Sequence, residues 1–433
     1  MRNMTNNNLN SSEEDLFDVV VCGGGPAGMI AATTAARAGF KVALIERYGF
    51  LGGMATAGLV DPISRFYLHG KKVIGGIPWE FVDNLVKLGG AEVETPAGNV
   101  SFHPEYYKLC AQRMVLQAGV YLFLHATIVN VETNIHQISS VVIHTKQGDY
   151  AIKGRYIIDC TGDADVAWMA GAKFQKKSEA LQPASLCFMI GNVDTNKLPL
   201  RKHTYENVNM QDPDLRQMLF NLSNKGVKVP QFGGPWYCSM IENGYLIVNI
   251  TRYNGDMTDI NESTRAECQL REDVFHFVDI LRNNTEAFKN ACLLTTASQV
   301  GVRETRRICG DYILTGDEYL DGKHFTDSIA RGCHPIDIHR GKDDEQTCHF
   351  IQKAGFVPYR CLYSDDFTNL LVAGRCISTD ETASASLRVQ ASCMQLGQAA
   401  GTAASVCLKD KCSVQKVDTQ KIRNTMIETG ALL

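Results

Sequence analysis

The sequence predicts an α/β protein in which a parallel sheet, extended by a β-meander, is joined by a second unit of mixed α+β character. Three observations predict it. A short apolar strand beginning at Phe17 runs into a glycine cluster, a small-residue helix and a second strand. Together they span about thirty residues, the length of one β-α-β unit. Alternating segments over 138–144 and 150–153, parted by Gln147-Gly148-Asp149, read as the meander. Toward the other end, the apolar run Leu370-Leu371-Val372-Ala373-Gly374 precedes a long small-residue helix over 390–409.

Each element has its local reason. Residues 1–16 are rich in Asn, Ser, Glu and Asp and lack the apolar run of a signal peptide, so a disordered leader is expected. Residues 17–22 are apolar apart from Asp18, as suits a strand buried on both faces. Met29 to Ala38 is a helix of small residues stopped by Gly39, and Lys41 to Glu46 is the second strand. Helical spacing returns over 79–88 and 106–116; 120–131 reads as one strand and 156–160 as another. Between 181 and 294, strand-like pieces (185–191, 244–251) mix with helical stretches (214–225, 263–283). This is the second domain, and 17–180 with 295–433 form the first. The closing residues 418–433 carry a helical pattern.

Composition bounds the function. A length of 433 residues suits two or three domains at ~150 residues each. The net charge is −4 and no extended basic run occurs, which argues against nucleic acid as the main partner. No apolar stretch approaches the ~20 residues of a membrane-spanning helix. The cysteines number fifteen, no two at CxxC spacing, and several (Cys22, Cys160, Cys187) lie in apolar runs. They read as packing thiols in a reducing cytoplasm, not as a disulfide framework or a zinc site. The sequence is compatible with a homo-oligomer.

The chemistry-bearing motif is Gly23-x-Gly25-x-x-Gly28, in its strand-turn-helix setting. The first glycine permits the tight turn, the second lets the backbone approach a pyrophosphate, and the third lets helix and strand pack closely. A helix N-terminus supplies free N–H groups for that anion. Glu46 closes the second strand, where a carboxylate accepts hydrogen bonds from ribose hydroxyls. The chain therefore binds a nucleotide.

Beyond this motif the chain resembles the glutathione-reductase-type Rossmann flavoproteins, and among them the family of FAD-dependent oxidoreductases. The marks are VVVCGGGPAGMIAA (19–32), ALIERYGFLGGMAT (43–56), YIIDCTGDADVAWMAGA (156–172), GVRETRRICGDYIL (301–314), and LLVAGRCIS with ASLRVQASCMQLGQAAGTAA (370–404). The resemblance implies a Rossmann-type FAD-binding domain and a substrate or cap domain; the FAD is taken to be held without a covalent link. It implies that Gly25, Pro26, Ala27 and Gly28 cradle the pyrophosphate, that Glu46 holds the adenosine ribose, and that Arg47 lies beside the adenine. The loop with Gly52, Gly53, Met54 and Thr56 would reach the flavin end, and the strand around Thr127, Ile128 and Val129 the adenine. Thr161 and Gly162 resemble a second nucleotide-side turn. Gly374 begins the late flavin motif, where many relatives continue with Asp and this chain has Arg375. Leu387, Arg388 and Val389 lead into a helix whose start is expected to face the flavin. Short-spaced redox cysteines and a second dinucleotide fingerprint are both missing, so dithiol relay and a dedicated NAD(P)H domain are not expected.

The expected activity is two-electron transfer between flavin and a small molecule. Alternatives on this fold are a non-redox or dinucleotide-consuming enzyme of the thiazole-synthase kind, and a flavin-dependent monooxygenase or reductase. Three segments offer groups for the substrate side. One is Arg65-Phe66-Tyr67-Leu68-His69, otherwise a surface loop. In 331–339, His334 and His339 with Asp337 could form a base and its orienting carboxylate, or be structural; no third ligand suggests a metal. In Arg303-Glu304-x-Arg306-Arg307, either Arg303 or Arg306 could reach a substrate carboxylate, the alternative being a solvated face or an ion-pair network.

Overall fold

The computed structural model describes residues 16–175, 181–198, 212–239, 243–340 and 346–433. Apart from Leu16, the expected leader lies outside them.

Five strands run parallel, in the spatial order Tyr121–Phe123, Val42–Ile45, Phe17–Cys22, Gly148–Asp159 and Leu370–Val372. Val19 sits between Val42 and Tyr156, and Ile158 faces Leu371. The central strands are buried on both faces (Val19 to Cys22, Val42 to Leu44), which is why their sequences are apolar without alternation. Chain order reverses between Phe17–Cys22 and Gly148–Asp159. At such a switch point the loops leaving the two strand ends diverge and open a crevice.

Helix Pro26–Arg37 packs against helix Gln390–Asp410, whose residues 390–407 are all buried. Contact is made at backbone distance. A Cβ on Gly397 would fall 2.1 Å from the Ala27 carbonyl oxygen, and one on Gly401 2.5 Å from that of Ala31. The small residues of both helices thus bring two distant stretches of chain together.

Two strand expectations need correction. The run over 120–131 is two strands, Tyr121–Phe123 in the parallel sheet and Thr127–Asn134 in the meander. His125, at φ +54°, turns the chain between them. Conversely, 150–153 and 156–160 belong to one strand, Gly148–Asp159. Its first half pairs antiparallel with Gln137–Thr145 and its second half parallel with Phe17–Cys22.

A separate antiparallel sheet has the order Phe232–Ser239, Leu246–Thr251, Phe188–Gly191, Cys292–Thr296. Helix Ile260–Asn284 lays Leu270, Val274, Phe277 and Leu281 into its core, a cluster distinct from that of the parallel sheet. No helix of the described residues is long and apolar enough to cross a membrane.

Candidate functional site

A cleft opens at the C-terminal edge of the parallel sheet, on the switch point. Its floor is the glycine turn. Gly23 has φ +100°, and a Cβ there would sit 2.6 Å from the Cys160 carbonyl oxygen. At Gly28 a Cβ would meet the Gly23 carbonyl oxygen at 1.8 Å. Gly25 is different: its nearest neighbour is the Gly53 Cα at 3.8 Å, so the missing side chain leaves open space over the helix start. Among the described residues no side chain caps helix Pro26–Arg37, nor helix Gln390–Asp410, whereas Asp212, Asp259 and Asp418 cap theirs. Both uncapped ends carry N–H groups suited to an anion. Gly25, Pro26 and Ala27 line the cleft together with Gln390 and Cys393.

At one end of the cleft stands Glu46, 6% exposed, accepting from Gly24 N (2.7 Å) and Tyr48 N (2.9 Å). Burial raises its pKa; those two backbone donors and Arg47 oppose the rise. Arg47 and the Tyr48 hydroxyl both donate to Gln299 Oε1, which ties the rim across the cleft. Farther along, Asp163 accepts from Arg375 and from Thr305 Oγ1 (2.6 Å). Burial pushes that carboxyl up, but Arg375 and Thr305 outweigh it and hold it below the usual range. Arg375 also donates to the Val302 carbonyl at 2.7 Å.

A second cavity adjoins the first. Met54, Arg375, Arg388 and Gln390 line both. Beyond them it is walled by Asp61, Trp236, Arg303, His334, Asp337 and His339, among others. Asp337 Oδ2 accepts from His339 Nε2 at 3.0 Å and Arg388 Nη2 at 3.4 Å, and Oδ1 accepts from Gln346 Nε2 at 2.6 Å. Burial opposes the charge on Asp337, yet His339 and Arg388 hold its pKa well below normal. The ionised carboxylate must accept, so His339 carries its proton on Nε2 and leaves Nδ1 with the lone pair. Burial pushes His339 down to about 3, against the pull of Asp337 and with the help of Arg303. His334 is pushed down to about 4, also by burial. Both rings are neutral at pH 7. Burial and the Glu94 charge raise Asp61 well above its ordinary value.

The family model for FAD dependent oxidoreductases matches residues 18–426, nearly the whole described chain. The protein belongs to the FAD dependent oxidoreductase family. Curated relatives match over a smaller part. Leghemoglobin reductase of Glycine max is 30% identical over 169 residues, 39% of this chain and 31% of its own length. Dihydrolipoyl dehydrogenase 2, mitochondrial, of Arabidopsis thaliana is 31% identical over 176 residues, 39% of this chain and 32% of its own. The match thus spans about a third of these relatives. A geranylgeranyl bacteriochlorophyll reductase-like protein from Thermoplasma acidophilum shares the fold, with TM-score 0.51 at 14% identity, covering 95% of this chain and 83% of that one.

FAD is the cofactor of this family, and the cleft has features that fit it. A Cβ-free cradle faces one helix start, a buried acid stands at one end, and Gln390 Oε1 and Arg388 Nε are buried without hydrogen-bond partners among the described residues where the cleft meets the cavity. Of the residues singled out from the sequence, Gly23, Gly25, Pro26, Ala27, Glu46, Arg47, Gly53, Met54, Thr161, Gly162, Gly374, Arg375 and Arg388 line the cleft. Val389 lines the adjoining cavity. Gly28, Gly52, Thr56 and Leu387 stand behind the lining: Gly52 N donates to Gly24 O (2.9 Å), and Thr56 Oγ1 to Leu51 O (2.8 Å). Val129 is a correction. A bulge between Ile128 and Asn130 leaves it 44% exposed, and Ala126, Thr127 and Ile128 line the cleft instead.

On the substrate side, His334, His339 and Arg303 share the second cavity. Arg306 does not. Its guanidinium pairs with Asp165 at 2.6 Å and lies over the Trp168 ring at 4.8 Å. In the segment 65–69, His69 points to the Gln352 carbonyl at 3.2 Å and is exposed; the neighbouring Ser64 reaches the cavity. Sequence reasoning missed Asp61, Trp236 and Gln299, none of which sits in a recognisable motif. Among the described residues no group of His, Cys, Asp and Glu is arranged to hold a metal ion.

Proposed function

We propose that this chain moves two electrons between FAD in the cleft and a small molecule in the adjoining cavity. The supporting observation is that the two spaces share Met54, Arg375, Arg388 and Gln390. Bound FAD supplies the two-electron donor or acceptor. The protein contributes position and a proton site. Gly25 and the start of helix Pro26–Arg37 hold the pyrophosphate, and Glu46 the ribose. Gln390, at the start of the other helix, stands with Arg388 at the flavin end. His339 is the proton-transfer group: Asp337 fixes its tautomer and presents Nδ1 to the substrate. His334 lies beside it, and Arg303 orients the substrate.

The bond to the flavin is non-covalent. Cys160 and Cys393 line the cleft, yet burial pushes Cys160 well up and Cys393 to about 12, so neither is a thiolate. Residues 181–294 act as a cap over the flavin. Unpaired buried cysteines support a reducing, cytoplasmic setting. The test is an anaerobic screen of small molecules against the purified yellow protein. Bleaching of the flavin by a compound, abolished in His339→Gln with flavin content unchanged, supports the reading. Protein that is colourless, and stays so after incubation with FAD, overturns it.

A further inference from the structure

We propose that the cavity beside the cleft takes a small carboxylate, gripped in a two-pronged bond by Arg303. This rests on the reading of that cavity as the substrate site, and adds the substrate's class.

Arg303 is only 8% exposed and lines the cavity. Its Nη1 is committed to the protein, donating to the Pro183 carbonyl (2.6 Å) and Ser185 Oγ (2.8 Å). The opposite edge, Nε and Nη2, makes no hydrogen bond to the described residues. That edge is a planar fork matched to two carboxylate oxygens. The neighbouring arginines sharpen the point. Arg306 pairs with Asp165, Arg307 with Glu304, Arg375 with Asp163 and Arg388 with Asp337. No carboxylate among the described residues pairs with Arg303.

A buried cation without a counter-ion carries a desolvation penalty of several kcal/mol. Neighbours add to it, since Arg252 donates to the same Ser185 Oγ at 2.8 Å. Burial, with the charges of Arg252 and Arg388, holds the Arg303 pKa well below its ordinary value. Asp337 relieves it only in part. Asp337 is also engaged by His339, Arg388 and Gln346, and burial with the Glu94 charge raises Asp61 well above its ordinary pKa. The walls of Val60, Pro62, Trp236 and Pro335 suit the organic body of an acid more than a fully hydrated phosphate.

The probes are acetate, succinate and benzoate, each against its carboxamide, titrated into the FAD-loaded protein while the visible flavin spectrum is followed. At least one acid should shift the spectrum saturably, with its amide ~10- to 100-fold weaker, the value of a charge-assisted contact. Arg303→Gln should erase that preference and keep its flavin. Equal binding of acids and amides, no binding of any acid, or tighter binding of inorganic phosphate overturns the inference. Should the variant fail to fold, the acid–amide comparison on the unaltered chain decides. Protein that takes up no flavin overturns the redox reading instead. Acid binding is then followed by tryptophan fluorescence, because Trp236 lines the cavity.

Discussion

His339 Nε2 lies 3.0 Å from Asp337 Oδ2, two residues apart on the strand Ile336–His339, so both side chains leave the same face of that strand. The pairing fixes which ring nitrogen holds the proton. Replacing His339 by Gln removes the proton site, and substrate-dependent flavin bleaching should slow by about 10²- to 10⁴-fold, the usual worth of a positioned base. Asp337→Asn should slow it too, through the tautomer. Stopped-flow absorbance checks both, with flavin content as the control.

Acid should destabilise the protein in two stages. Burial depresses His339 to about 3 and His334 to about 4, so between these values and the ordinary ~6.5 the unfolded chain binds more protons than the native one. The stability that the neutral rings contribute is fully present above that ordinary value and is lost as pH falls toward the native ones. The depressed pKa of Asp337 adds a further loss below ~3.9. Urea midpoints measured from pH 7 to pH 4 should fall steadily. His334→Gln should flatten the upper part of the curve.

Gly25→Ala separates binding from folding. The position has φ −69°, and a new Cβ meets only the Gly53 Cα at 3.8 Å, so the fold should hold within ~1 kcal/mol. The same methyl stands over the helix start and should weaken FAD binding by about tenfold or more. Gly28→Ala, at 1.8 Å from the Gly23 carbonyl oxygen, should damage folding itself. Thermal unfolding and flavin titration distinguish the two outcomes.

Arg375→Gln leaves Asp163 partly buried without its main counter-charge. The expected loss is about 3 kcal/mol. The double variant with Asp163→Asn should recover most of it, and chemical denaturation of the single and double variants measures the coupling.

Much of the cleft was legible because its determinants are local. Gly23 and Gly28 are spaced so that the helix start falls against the Gly23 carbonyl, and neighbours in sequence suffice to show that. The small residues of 390–404 likewise announced a buried helix, though not that Gly397 would rest on Ala27. The substrate cavity was legible only in part. Asp61, Trp236 and Arg303 come from distant segments, and no periodicity links them. Arg303 and Arg306 stand three residues apart in a stretch without regular structure, so no face rule could tell which one turns inward. Val129, which the resemblance placed at the adenine, falls outside the cleft lining beside a bulge between Ile128 and Asn130.

The most direct measurement is a crystal structure of the FAD-loaded protein. The pyrophosphate should lie over Gly25 and the start of helix Pro26–Arg37, with the isoalloxazine ring reaching Met54, Arg388 and Gln390, where the cleft meets the cavity of His339 and Arg303. A flavin ring lodged away from those residues, or a cavity of His339 and Arg303 walled off from the ring, would contradict it.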